Sequence, residues 1–202
     1  MEDFKFLTNL YEDLYLWLTV KTPGSHSTIS RFKYYDNNVW LPIKNKIIEL
    51  DQKKKLNKLE FEFLKCRYTG KAYRTIDYSS RARGYVYPLE MYQSCSKTID
   101  GIKALKLTGK NILIELDVTK ELVAIDVFEL LCFMVKNKLV SQNNNLQYNL
   151  KNLLRYEDEE EVAIPMYEYA IKNISLVDFS NKDNRLEKSK LIEKDKWFRN
   201  KI

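Results

Sequence analysis

The spacing of apolar residues changes along this 202-residue chain, and that change limits the possible folds more than any other feature. Residues 4–20 carry apolar side chains at helical spacing, which predicts an amphipathic helix that Pro23-Gly24 ends. The range 41–65 fits one or two helices, although its last apolar residues also alternate as in a strand. The N-terminal 60 residues are therefore predicted to be mainly helical.

From about residue 71 the chain becomes rich in Tyr, Val, Thr and Ser, with turn residues between short segments, a pattern typical of strands. The segments predicted to be extended are Lys71–Tyr78, Gly84–Tyr87, Met91–Ser96, Asn111–Val118, Leu122–Ile125 and 159–178. Helices are predicted at 97–107 and at Val127–Lys138, the second with Asp126 as its N-cap. Helices followed mostly by strands indicate an α+β fold.

The length suits one domain, 1–202, in which 1–60 is mainly helical, 61–180 is rich in strands and 181–202 is a charged tail. Hydrophobic residues make up 45% and charged residues 31%, as in an ordinary globular protein. The formal net charge of +6 permits contact with nucleic acid or an acidic protein without requiring either.

Several classes of protein and of site are disfavoured. Three cysteines without a CxxC pair and a single histidine, His26, argue against a disulfide framework, a metal site and a histidine-based catalytic arrangement. No signal peptide is recognised, and the apolar stretch Val127–Val135 is too short to span a membrane, so we expect a cytoplasmic protein without membrane contact. A Gly-rich phosphate loop is absent, which excludes Rossmann and P-loop nucleotide binding.

An acidic run, Glu157–Glu161, passes directly into the alternating segment Val162-Ala163-Ile164-Pro165. Such runs are usually solvated loops. In a strand, however, residues two apart share a face, so Glu159 and Glu161 would lie side by side opposite the core-facing residues. Neighbouring carboxylates raise the proton affinity of at least one of them. The run is therefore a candidate for an acid pair in a cleft.

Two further segments carry candidate site residues. Ser94 and Ser96 share a face at the end of a predicted strand, where the simplest interpretation is a strand end followed by an N-capping serine or threonine. Cys95 between them is more typical of a small buried residue than of a nucleophile. Arg74 lies in an apolar strand, where a guanidinium needs an anionic partner, either a structural ion pair or a bound phosphate.

The order of these segments is more informative than any one of them. An aromatic-Arg pair on a first strand, Ser-x-Ser on a second and Glu-x-Glu-Val-x-Ile-Pro on a late strand resemble the mono-ADP-ribosyltransferases of the arginine–serine–glutamate class, with the small intracellular enzymes of tailed bacteriophages most similar. The resemblance covers roughly residues 60–180. Thr75 stands where the family commonly has glycine, and Cys95 where it has threonine or phenylalanine. Arg67, Arg81 and Arg83 are rival candidates for the motif arginine.

The resemblance implies a split core of two antiparallel sheets around an NAD cleft. It implies transfer of ADP-ribose from NAD to a macromolecular acceptor in the cytoplasm, the host cytoplasm for a phage protein. The acceptor would be a protein arginine, and nicotinamide would be released. The basic patches of the chain, apart from the resemblance, add nucleic-acid-associated host proteins to the candidate acceptors. No metal is implied.

The family roles are carried over residue by residue. Glu161 would stabilise positive charge on the ribose, and Glu159 would orient or deprotonate the acceptor. Arg74 would hold the NAD phosphates or the adjoining ribose, while Ser94 would bind the nicotinamide ribose and orient Glu161. Ser96 is expected to support the strand. Tyr92 or Tyr78 would stack on the nicotinamide ring.

Two other functions fit the same sequence. Tyrosines interleaved with basic residues over Tyr68–Tyr87 would suit a non-enzymatic protein that stacks bases and binds phosphates. An inactive relative of the same fold, serving as an interaction module, is also consistent with Thr75 and Cys95.

Overall fold

A computed structural model of the chain describes residues 2–19, 29–77, 91–104, 107, 109–140, 160–165 and 167–179. The helices are α1 (Lys5–Thr19), α2 (Ile29–Tyr35), α3 (Leu41–Asp51), α4 (Lys58–Leu64), α5 (Ile99–Ala104) and α6 (Val127–Lys136), with a π-helical turn at Asp36–Trp40. The strands are β1 (Arg67–Tyr68), β2 (Gly70–Asp77), β3 (Tyr92–Ser96), β4 (Lys110–Val118), β5 (Ala124–Asp126), β6 (Glu161–Pro165) and β7 (Ile171–Asp178). The α+β arrangement with a helical N-terminal part is confirmed.

The seven described strands form one antiparallel sheet in the order β1-β5-β6-β3-β2-β4-β7. Within it, β3 pairs with β6 along its whole length, and β2 likewise with β4. Between β2 and β3, both of which are described in full, one residue pair is formed, Tyr73 opposite Ser96. The structure thus corrects the expectation of two separate sheets, because two half-sheets, β1-β5-β6-β3 and β2-β4-β7, join at this pair.

The N-terminal helices cover one face of the first half-sheet. The apolar face of α1 is buried against a core that also contains Trp40, Tyr92, Ile125 and Ala163. At the far end of this core the rings of Phe4, Phe63 and Phe133 lie with centroids 5.0 to 5.4 Å apart. Aromatic pairs at these separations stabilise a core beyond the area they bury.

The segment whose apolar pattern fits either a helix or a strand is a helix, α4. The Asn57 side chain accepts a hydrogen bond from the Glu60 backbone N–H at 3.0 Å, and the Glu60 carboxylate accepts one from the Asn57 N–H at 2.9 Å. This capping box satisfies two N–H groups that a helix start leaves without partners. Phe63 is fully buried whereas Phe61 is 61% exposed, so the two phenylalanines do not share a face as strand residues would.

A second core lies on the opposite face of the sheet. Its buried members include Ala72, Cys95, Ile112, Val162 and Ile174, from strands of both halves. Sheets buried on both faces carry near-continuous apolar runs instead of a clean alternation. That burial accounts for the apolar character of β4 and β6.

Most of the remaining predicted elements lie within a few residues of their observed bounds. The predicted strand Leu122–Ile125 begins later, at Ala124, because a short 3₁₀ turn and Val123 in the left-handed region (φ 52°) precede it. The predicted cap of α6 is confirmed, since the Asp126 carboxylate accepts the Glu129 N–H at 3.2 Å. Predictions for Pro23-Gly24, Gly84–Tyr87 and 181–202 fall outside the described residues.

Candidate functional site

A small pocket of about 120 Å³ lies where the two half-sheets join. It is lined by Arg74, Thr75, Ser94, Cys95, Ser96, Ile102 and Glu161. β2, β3 and β6 each contribute side chains, and α5 supplies Ile102. The pocket therefore collects the arginine, the serines and one glutamate of the three sequence motifs.

Glu161 is the first residue of β6, directly opposite Ser96 of β3. Its side chain is almost buried, at 6% exposure for the residue. The Ser94 hydroxyl donates a hydrogen bond to Glu161 Oε1. Hydrogen bonds to an ionised carboxylate are short and strong, so Ser94 fixes the direction in which the carboxylate points.

Arg74 connects the two half-sheets beside the Tyr73–Ser96 pair. Its guanidinium donates to the main-chain oxygen of Ser94, on the side of β3 that faces β2. In a continuous ladder that oxygen would accept from a backbone N–H of β2, because buried carbonyls need a donor. The side chain thus replaces a missing ladder bond and places a positive charge on the pocket wall.

Cys95 lies between the charges of Arg74 and Glu161 but is 4% exposed. Burial, reinforced by Glu161 and opposed by Arg74, raises the pKa of the Cys95 thiol to about 12. The thiol is therefore protonated at neutral pH and is a poor nucleophile. This agrees with its interpretation as a small buried residue.

Thiol reactivity tests this environment. Cys66 and Cys95 are buried and Cys132 is exposed, and burial also raises the pKa of Cys66. We expect Ellman's reagent at pH 8 to modify one thiol per folded chain rapidly and all three after unfolding in guanidinium. In Cys132→Ser the rapid phase should vanish, and a second rapid thiol in the folded wild type would contradict the burial of Cys95.

Arg67, which also competes for the role of motif arginine, is not at the pocket. Its guanidinium donates to the Asp51 carboxylate and to the main-chain oxygen of Lys120, so it ties β1 to α3 and to the turn before β5. The arginines at 81 and 83 fall outside the described residues, as do Glu159, Tyr78 and His26. Of the two candidates that the structure describes, Arg67 and Arg74, Arg74 lines the pocket together with Glu161.

Tyr92 does not fit the stacking role expected for it. The residue is 2% exposed, and its ring stacks on Trp40 with centroids 5.8 Å apart. Its hydroxyl donates to the Val123 oxygen at 2.6 Å and its N–H to Asp36 Oδ1 at 3.0 Å. Tyr92 belongs to the core beneath the helices because Trp40 covers it, whereas Ser94 on the same strand face is exposed.

Ser96 lines the pocket, and its hydroxyl also accepts a hydrogen bond from the main chain. It is 3% exposed, and its Oγ accepts the backbone N–H of Thr98 at 3.3 Å. It therefore shapes the turn from β3 into α5.

Sequence reasoning expected a capping serine or threonine at the end of β3 but missed the contacts that the residues there make beside the pocket. Lys97 Nζ lies 2.7 Å from Asp126 Oδ2 and thereby fastens the end of β3 to the start of α6. Thr98 donates to the Glu160 carboxylate and accepts the N–H of Gly101 at 3.0 Å. The signal available in the sequence was Thr98 directly before the predicted helix. A side chain at that position commonly accepts the backbone N–H three residues later, here that of Gly101.

The pocket is lined by one positive and one negative side chain, by three hydroxyl-bearing residues (Thr75, Ser94 and Ser96) and by a partly apolar wall. Its volume is below the ~300 Å³ at which pockets for whole small molecules begin, so it suits one part of a larger ligand. Among the described residues, no cluster of three or more His, Cys, Asp or Glu is placed to hold a metal ion. No helix in the described ranges has the length and apolar character that crossing a bilayer requires.

Comparison of the chain with protein-family models, with curated proteins and with solved structures gives no significant match.

Proposed function

We propose that this chain is an NAD-dependent mono-ADP-ribosyltransferase that transfers ADP-ribose to a protein arginine and releases nicotinamide. The observation that supports this most directly is the hydrogen bond from Ser94 to Glu161 in a pocket that Arg74 also lines. The three residues come from three strands and are the residue types on which the motif resemblance rests. Their meeting in one pocket is what a common site requires.

The proposed chemistry begins with the bond between nicotinamide and ribose. When it breaks, its electron pair leaves with nicotinamide and positive charge develops on the ribose. A carboxylate already held in place stabilises that charge without having to reorganise. Glu161 meets this requirement because it is almost buried and Ser94 fixes its direction.

The acceptor nitrogen then attacks the ribose carbon and loses a proton to a base. Glu159 is proposed as the base that accepts this proton. Arg74 is proposed to contact an NAD phosphate or the adjoining ribose, since a guanidinium matches phosphate oxygens in charge and geometry. A pocket of about 120 Å³ would take the nicotinamide-ribose end and leave the remainder of NAD outside it.

The test is direct. Purified protein is incubated with NAD labelled on its adenylate half and a bacterial lysate, and both macromolecular label and free nicotinamide are measured. Transfer of label together with release of nicotinamide is expected. Absence of both would contradict the proposal, and an oligonucleotide titration at several salt concentrations would then test nucleic-acid binding, because phosphate contacts weaken steeply with salt.

Replacing Ser94 with alanine should lower kcat for nicotinamide release by about 10-fold to 100-fold. A hydrogen bond to a charged group contributes ~1.5–3 kcal/mol, and ~1.4 kcal/mol corresponds to a tenfold change in rate. Ser175→Ala is the control, since it removes the same hydroxyl from another strand, β7, where Ser175 is buried and its hydroxyl has no hydrogen-bond partner within the described part of the chain. Equal activity of the two variants would contradict an orienting role for Ser94.

A further inference from the structure

The residue immediately before Glu161 has an unusual backbone. Glu160 has a φ of 46°, in the left-handed region that residues with a Cβ rarely adopt. Such a conformation persists only where neighbouring interactions hold it, and it is enriched at functional sites. The turn into β6 at Glu160 determines how Glu161 enters the pocket.

Two hydrogen bonds hold this turn. The backbone N–H of Lys97 donates to the Glu160 oxygen at 3.0 Å. The Thr98 hydroxyl donates to Glu160 Oε2. Both donors lie in the short connection from β3 to α5, so the turn into β6 is fastened to the strand that carries Ser94.

The Thr98 hydroxyl performs a second task. It accepts the backbone N–H of Gly101 at 3.0 Å and so caps α5, the helix that supplies Ile102 to the pocket. A hydroxyl has one proton to donate and can accept as well. Thr98 uses the proton for Glu160 and the oxygen for the helix, which links α5 to the start of β6.

This link also separates two neighbouring negative charges. The Glu160 carboxylate is held toward α5 by Thr98, while the Glu161 carboxylate is held toward the pocket by Ser94. Adjacent carboxylates repel when they approach each other. With Glu160 held by Thr98, Glu161 alone of this pair lines the pocket.

We propose that Thr98 and Glu160 form a brace that positions the Glu161 carboxylate for catalysis. Both are positioning residues, because they act through Glu161 and do not line the pocket. The inference rests on the proposed function in so far as Glu161 is the catalytic residue. The brace itself concerns the geometry of the turn and can be measured without turnover.

Three substitutions separate the brace from the helix cap. Thr98→Ser keeps both hydrogen bonds, Thr98→Val removes both, and Thr98→Asp keeps a capping oxygen but cannot donate to Glu160. We expect the valine and aspartate variants to lose about tenfold in kcat for nicotinamide release, with KM for NAD within about twofold of wild type. Thr98→Ser should retain the wild-type kcat.

Amide hydrogen exchange at Lys97 supplies a readout that does not depend on activity. Because its N–H bonds the Glu160 oxygen, exchange should be about tenfold faster in Thr98→Val and Thr98→Asp than in Thr98→Ser. An active wild type with an unchanged kcat in all three variants would overturn the positioning role and leave the transferase proposal standing. If the wild type is inactive but exchange at Lys97 is faster in Thr98→Val and Thr98→Asp, the brace stands and the transferase proposal is rejected. If exchange at Lys97 is unchanged in these variants, the brace is overturned whether or not the wild type is active.

Discussion

Glu161→Gln is expected to lower kcat for nicotinamide release by about 10²–10³-fold, the usual cost of losing one charge-stabilising group in an active site. Glutamine has nearly the shape of glutamate and retains an oxygen that can accept the Ser94 hydrogen bond. What it lacks is the negative charge that stabilises the ribose as nicotinamide departs. The loss should therefore fall on kcat, with KM for NAD changing far less.

Glu62→Gln is the matched control for this variant. Glu62 lies on α4, where its carboxylate contacts Lys136 Nζ at 3.0 Å on the protein surface. Exposed pairs of this kind contribute little, so the control should keep wild-type activity and stability. Both variants should show the wild-type circular dichroism spectrum. A Glu161→Gln variant that released nicotinamide at the rate of the control would remove Glu161 from the mechanism.

The largest expected effect on stability comes from Phe63→Ala. Phe63 is fully buried, and its ring centroid lies 5.0 Å from that of Phe4 and 5.2 Å from that of Phe133. Truncation removes the ring that contacts both Phe4 and Phe133 and leaves a cavity between Phe4, immediately before α1, and Phe133 of α6. Such losses cost about 3–5 kcal/mol, a large fraction of the free energy of unfolding of a typical domain.

Phe61→Ala makes the same change two residues earlier on α4, at a side chain that is 61% exposed. Its free energy of unfolding should stay within about 0.5 kcal/mol of wild type. Urea unfolding of the three proteins measures the difference as a shift in midpoint at constant slope. Similar midpoints for the two variants would show that Phe63 is not a core residue.

The regular elements could be predicted because their apolar residues recur at the spacing of a helix or of a strand. α1 carries an apolar face at helical spacing over fifteen residues, and in β4 the apolar residues Ile112, Ile114 and Leu116 are two apart and share one face, so both elements were recognisable from the sequence alone. The choice between helix and strand for α4 depended on a capping box at Asn57, a local signal that the apolar pattern does not contain.

Features held by distant contacts could not be predicted. Val123 is β-branched, and its left-handed conformation (φ 52°) runs against its intrinsic preference, so the late start of β5 has no local signature. The π-helical turn at Asp36–Trp40 also has no local sequence signature. One contact that holds it is distant, because Asp36 accepts the N–H of Tyr92, 56 residues later in the chain. Whether β2 and β3 share one sheet depends on a single pair between them, Tyr73 and Ser96.

The site residues divide in the same way into those that local spacing predicts and those that distant contacts determine. Spacing placed Ser94 and Ser96 on one strand face, and motif order linked them to Glu161 and Arg74. The same spacing placed Tyr92 on that face, but periodicity does not say which part of a face a helix covers, and Trp40 covers Tyr92. The Thr98–Glu160 contact joins residues 62 positions apart; Glu160 is the unspecified position of Glu-x-Glu, and Thr98 lies outside the motifs.

The joint between the half-sheets gives the sheet an uneven stiffness. β2 and β4 are held together along their whole length, as are β3 and β6, whereas β2 and β3 share the Tyr73–Ser96 pair and the Arg74 bond to Ser94. A ladder of backbone hydrogen bonds ties neighbouring strands together, so we expect relative motion of the two halves to be easier at this joint than within either half. Such motion would change the width of the pocket, but the second core contains side chains from both halves and would limit it.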